Sequence, residues 1–267
     1  MLPGVYSAKR KDGTIYYRSS ITYKNKHISL GSYEYEEEAH QAYILAGEVL
    51  ADSNTYTIED YPEKSILDFS KWVTLINYRD NGIYIKTPIY LKKKFFLYYI
   101  DMNTPLTFDI DDLFYYSTRK IMKRGGHLFV AEYGMQVNIL SRYGIKNYGV
   151  PGRDYRFING DDSDYSYNNI EIINKYYGVT RFNTKGQTRY LTKVHVNGYY
   201  IIGRYDTEIE AAIAYNKATL LLTNKGLLKD FPKNYIDEID EITYASMFQK
   251  VRISKKFIEY VNSLNID

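Results

Sequence analysis

The chain of 267 residues contains no cysteine. That absence excludes disulfide frameworks, cysteine–zinc sites and thiol nucleophiles in one step, and it fits an intracellular protein. No stretch approaches 18 consecutive apolar residues, and the opening Met1-Leu2-Pro3-Gly4-Val5-Tyr6 does not lead into the apolar run of a signal peptide. No membrane partner is therefore expected, and the chain reads as soluble and cytoplasmic. Histidine is scarce: His27, His40, His127 and His195 are the four, none at a metal-ligand or nucleophile–base spacing from another. Serine elbows, glycine-rich phosphate loops and zinc motifs are also missing. No cofactor is expected.

Tyrosine, by contrast, is abundant, with 32 copies, and hydrophobic residues make up 45% of the chain. The second figure points to a globular protein long enough for two or three small domains. Tyrosine has an apolar ring and a polar tip, so it suits half-buried strands and wet interfaces. Codon usage that replaces Phe and Leu with Tyr would give the same count. The formal net charge is only +3, but its distribution is uneven. Between Gly4 and Tyr33 the basic residues Lys9, Arg10, Lys11, Arg18, Lys24 and Lys26 meet one acid, Asp12; between Gly178 and Tyr205, Arg181, Lys185, Arg189, Lys193 and Arg204 meet none. Acidic neighbours such as Glu34 to Glu38 mask both segments.

Those two segments belong to an internal repeat. The first copy runs from Gly4-Val5 through Tyr17-Arg18-Ser19-Ser20-Ile21 and Leu30-Gly31-Ser32-Tyr33 to Ala39, Ala42 and Tyr43. The second runs from Gly178-Val179 through Tyr190-Leu191-Thr192-Lys193-Val194 and Ile202-Gly203-Arg204-Tyr205 to Ala211, Ala214 and Tyr215. Alternation with a period of two predicts strands at 17–23 and 191–196, and Asn25 and Asn197-Gly198 mark turns. Alanines recurring at helical spacing predict a helix lying close against a sheet. Each copy thus reads as three strands and a helix.

The Gly-Val opening, the aliphatic-Gly-x-aromatic strand and the Ala-Ala-x-Ala-Tyr helix resemble the Apetala-type (ethylene-response-factor) DNA-binding domain. The resemblance implies that the free face of each sheet meets double-stranded DNA. That face would hold Lys9, Arg10, Arg18, Lys24 and Lys26 in the first copy, and Arg181, Lys185, Arg189, Lys193, His195 and Arg204 in the second. Thr180 and Phe182 depart from the family, standing where arginines are common. Lys and Arg gathered on one sheet face can neutralise phosphates and release counterions; the same charges on an exposed sheet can also do no more than solvate it.

Residues 62–175 do not repeat. A helix at 66–76 should bury Trp72, and strands are expected at 83–86 and 95–100. The run Tyr155-Arg156-Phe157-Ile158-Asn159-Gly160, continuing to Asn168-Asn169-Ile170, is similar to the core of HNH homing endonucleases of phages, which also carry Apetala-type tails. The resemblance implies a ββα-metal-like centre. The chemistry departs from it: Arg156 and Phe157 stand where the family has the Asp that holds the metal and the His that deprotonates water, and neither can do so. An earlier His would fall at Asn138 or His127. Asn159 and Asn169 are then remnants of a metal site with structural duties, a tight hairpin at Asn159-Gly160 and a helix cap or loop tie at Asn169. Asp161, Asp162 and Asp164 suit either a cation or a solvated turn.

The expected architecture is α+β: two sheet-plus-helix domains at 1–60 and 176–234, a degenerate HNH-like centre at 61–175 and a helical tail at 235–267 that packs back on the body. No catalytic residue and no metal ligand set is assigned. The reading is a non-catalytic double-stranded DNA-binding protein of a phage or mobile element, with the monomer favoured. Two rivals stay open: an inhibitor that binds a host nuclease or defence protein, and a metal-dependent nicking enzyme with rearranged ligands such as Asp154 or His127.

Overall fold

A computed structural model describes residues 1–264 as a mixed α+β chain of small antiparallel sheets and helices. Contacts divide it into two compact units. The first comprises Met1–Ile139 with Asp161–Asn169, and the second Leu140–Gly160 with Ile170–Asp267. The expected central segment 61–175 is therefore split between them. Residues 265–267, the last of the expected tail, lie outside the described residues.

In the first unit, β1 (Val5–Lys9), β2 (Ile15–Tyr23) and β3 (Lys26–Tyr33) form an antiparallel sheet in chain order, and α1 (Glu36–Ala51) comes next. Lys24 and Asn25 both have positive φ, 44° and 61°, and make the two-residue hairpin between β2 and β3. Ala39, Ala42 and Ala46 of α1 are fully buried, as are Ile28 and Leu30 of the sheet. Small side chains let helix and sheet touch closely enough that a Cβ at Gly4 would lie 2.1 Å from the Tyr43 ring.

The second helix, α2 (Phe69–Asn81), begins later than the expected 66–76. Its limits are set by caps. The Asp68 carboxylate accepts the Lys71 N–H, and Gly82 ends the helix in the left-handed conformation. Trp72 is fully buried and donates its indole N–H to the Thr57 carbonyl at 2.9 Å. Beyond α2 the strand expected at 83–86 does not form. That segment is instead tied by side chains: Asn77 donates to the Ile83 carbonyl and Thr87 to the Tyr116 carbonyl. The chain continues into the sheet β4 (Ile89–Leu91), β5 (Phe95–Tyr99), β6 (Pro105–Asp109), then α3 (Leu113–Tyr116) and a second sheet, β7 (Ile121–Arg124), β8 (His127–Glu132), β9 (Met135–Asn138). Phe96, Phe108, Tyr116 and Tyr165 stack into one aromatic core.

The second unit opens with the strand pair β10 (Tyr155–Phe157) and β11 (Ile170–Ile172). The second repeat then folds as β12 (Val179–Thr184), β13 (Gln187–His195), β14 (Tyr199–Tyr205) and α4 (Glu208–Asn224), the helix capped by Thr207. Its register duplicates the first copy to the level of a bulge. Ser19 pairs with Gly31 and Ser20 with Ser29, leaving Leu30 over; Thr192 pairs with Gly203 and Lys193 with Ile201, leaving Ile202 over. Both extra residues are buried at the core. The motif glycines coincide too: a Cβ at Gly178 would meet the Tyr215 ring at 2.2 Å, as at Gly4.

After α4, α5 (Glu241–Lys250) and α6 (Lys255–Ser263) form the tail. It packs back as expected, with Phe257 and Val261 buried beside Val194, Ile202 and Leu222. Burying such side chains contributes about 1.5–3 kcal/mol each. The repeat's tyrosines secure the segment beyond each helix. Tyr33 donates to the Ile66 carbonyl at 3.2 Å and Tyr205 to the Arg252 carbonyl at 2.7 Å. Burial, then nearby acids, pushes both phenols up to about 12. No helix among the described residues is long and apolar enough to cross a membrane.

Candidate nucleic-acid faces

Successive side chains of a strand point to opposite faces, so register assigns each expected cation to a side. In the second copy Val179 pairs with Thr192, and the Thr192 hydroxyl donates to Ala211 of α4. Residues in step with that pair face the helix, and those out of step face away. The outer face therefore holds Thr180, Phe182, Arg189, Leu191, Lys193, His195, Tyr199, Ile201 and Arg204.

Four of the six expected second-copy residues lie there: Arg189, Lys193, His195 and Arg204. Arg181 does not. It is in step with Val179 and Tyr190, on the helix side at an exposed margin, and its N–H donates to Asn174. Lys185 sits at the tip of the β12–β13 hairpin with φ 48°, and Gly186 beside it has φ 76°. Arg189 is only in part available, because its guanidinium pairs with Asp206 at 3.0 Å. His195 tilts against Tyr199 at 4.9 Å, and its carbonyl accepts from Lys229.

The first copy loses more. In step with buried Val5 and Ser19, Lys9 is on the helix side. Lys24 donates to the Arg79 carbonyl of α2, and Lys26 stands 5.2 Å above the ring of Tyr84 in the segment after α2, so both are engaged within the unit. Arg10 and Arg18 remain, and they act together. Both guanidinium groups lie against the Tyr16 ring, at 5.8 and 5.5 Å, and Arg18 also donates to the Tyr16 hydroxyl at 2.8 Å. Tyr16 fixes the two arginines side by side on the outer face. The sequence pattern does not single out Tyr16, because strand alternation marks which side a residue takes, not which neighbour it supports.

The segment expected to form an HNH-like centre holds a short strand pair. β10 and β11 pair antiparallel, but Phe157 faces Ile170, so residues 158–169 intervene and Asn159-Gly160 is not a two-residue hairpin. Gly160 closes a local turn by donating to the Phe157 carbonyl, with φ 81°. Arg156 stands across from Glu171 and pairs with it at 2.6 Å. Among the described residues no α-helix lies between Tyr116 and Glu208, so the helix of a ββα unit is missing. Asn169 does tie down its loop: it is buried and donates to the Asp161 and Asp164 carbonyls. The Asp161 and Asp164 carboxylates accept from Ser163 and Ser166, as turn caps do. Among the described residues no group of three or more His, Asp or Glu is placed to hold a metal ion.

Asp154, a rival metal ligand by sequence, is buried and fully engaged. It pairs with Lys146 at 3.0 Å and with Arg153 at 2.6 Å, and accepts the Val150 N–H at 2.9 Å. Burial alone would raise its pKa, yet the Arg153, Val150 and Lys146 bonds outweigh that and hold the carboxyl below its usual range. Burial lowers the pKa of Lys146. This cluster fixes the segment 146–154, which with Thr180, Lys193, His195 and Tyr199 lines a cleft of about 630 Å³. One end of the second sheet's outer face is therefore walled rather than flat.

No family model, no curated protein and no solved structure matches the chain.

Proposed function

We propose that the protein binds double-stranded DNA without cutting it, as a regulator derived from an HNH homing endonuclease of a phage or mobile element. The observation that carries the reading is the duplicated sheet. Its outer face keeps cations outside any ion pair among the described residues in both copies, Arg18 and Arg10 (the latter near Asp12) in one, Lys193 and Arg204 in the other. Side chains so placed can contact phosphates, while Arg and His can reach base edges. Two such faces on one chain would act in avidity wherever one duplex reaches both. The absence of the Asp-His pair at Arg156 and Phe157 supports a non-catalytic role.

Affinity for a duplex of mixed sequence, measured across a salt titration, tests it. The expected result is a steep fall with salt, each of Arg18→Ala and Lys193→Ala weakening binding and reducing the salt slope by about 1. Binding that is absent at low salt, or indifferent to salt and to both substitutions, refutes it. A second reading, capture of a host protein, draws on Ile201 and Tyr199, which are 46% and 74% exposed on the same face. Charge reversal at Lys193 that leaves partner capture intact would favour that reading.

A further inference from the structure

The walled end of the second sheet carries an oddity for which duplex binding has no use. Gly149 donates to the Lys146 carbonyl, closing a four-residue turn whose third position is Tyr148. Tyr148 has φ 63° there, a left-handed conformation that such turns give to glycine or asparagine. A tyrosine in it costs the fold roughly 1–2 kcal/mol. Packing does not offset that cost, since Tyr148 is 91% exposed where it lines the cleft.

Around the same cleft, Arg153 is engaged by Asp154 on one side only and is 56% exposed. Lys193 and His195 reach the cleft from β13, and Tyr199 presents a second, 74% exposed ring beside His195. Cations and two open aromatic faces thus converge on a cavity of about 630 Å³, within the range of small-ligand sites. Aromatic faces stack on bases whatever their sequence, and cations beside them hold the phosphate. A stacked, paired base has no free face to offer.

We propose that this cleft binds an unpaired nucleotide, its base stacked on Tyr148 and its phosphate held by Arg153, Lys193 and His195. The site does not depend on the duplex reading. The nucleotide can come free or as part of a single strand, and the two sources share the chemistry.

The test is equilibrium binding of the full chain to three probes: deoxythymidine monophosphate, a twelve-residue oligothymidylate and a blunt duplex of mixed sequence. Tyr148→Gly is the informative variant. It relieves the backbone strain, so its thermal midpoint should equal or exceed that of the parent. Loss of one stacked base should weaken oligothymidylate binding about tenfold, with duplex binding unchanged. Lys193→Gln should weaken oligothymidylate binding as well. Saturable binding of the monophosphate would identify the free nucleotide as sufficient; binding of the oligomer alone would assign the site to a strand. The proposal fails if neither probe binds, or if Tyr148→Gly binds the oligomer as tightly as the parent does. Normal duplex binding in that same experiment would leave the DNA-binding reading standing.

Discussion

Replacing Asp154 with alanine should unfasten the second unit at its cleft wall. In the native protein the carboxylate meets Lys146, whose side chain is only 9% exposed, and it is itself 2% exposed. Removing one partner of a buried pair strands the other charge, which costs about 3–5 kcal/mol. Arg153 adds little to that figure, because its half-exposed guanidinium can return to water. Hydrogen exchange of the β13 and β14 amides is the assay. A loss of about 3 kcal/mol speeds exchange roughly a hundredfold wherever it proceeds through opening of this unit. Lys146→Met combined with Asp154→Ala should recover much of the loss, since no charge is then left behind. Acid should mimic the change: the folded carboxyl titrates below its unfolded value, so its contribution is complete above about pH 4 and fades as pH falls through the lowered folded pKa. An Asp154→Ala chain exchanging within about threefold of the parent rate would refute the reasoning.

The close approach of β12 to α4 makes Gly178→Ala more damaging than Gly186→Ala. Both glycines have positive φ, but a Cβ at Gly178 would meet the Lys193 carbonyl at 2.4 Å whereas one at Gly186 meets nothing. Urea unfolding should show about 1 kcal/mol lost at Gly186 and about 2–4 kcal/mol at Gly178 once overpacking is added; equal losses would contradict the packing described. Supercoiled plasmid incubated with magnesium or manganese should stay closed, because Arg156 is bound to Glu171 and Phe157 moves no proton. Open circles, absent from a matched control without protein, would restore the nuclease reading.

Local pattern was enough to determine the duplicated strands, the alanine-rich helices and the inward tail. Each depends on residues near one another in the chain, where a period of two or 3.6 decides which face is buried. The Leu30-Gly31-Ser32-Tyr33 and Ile202-Gly203-Arg204-Tyr205 motifs fix bulge and anchor alike, so reading them twice located both sheets. Three-dimensional packing decided the rest. Lys24 turned to α2 and Lys26 to Tyr84, Arg181 fell on the helix side by a single step of register, and Arg189 met Asp206. Asp154 found Lys146 and Arg153. A charge count along the chain cannot anticipate these outcomes, because whether a cation stays free depends on which acid, carbonyl or ring the fold brings within a few ångströms of it.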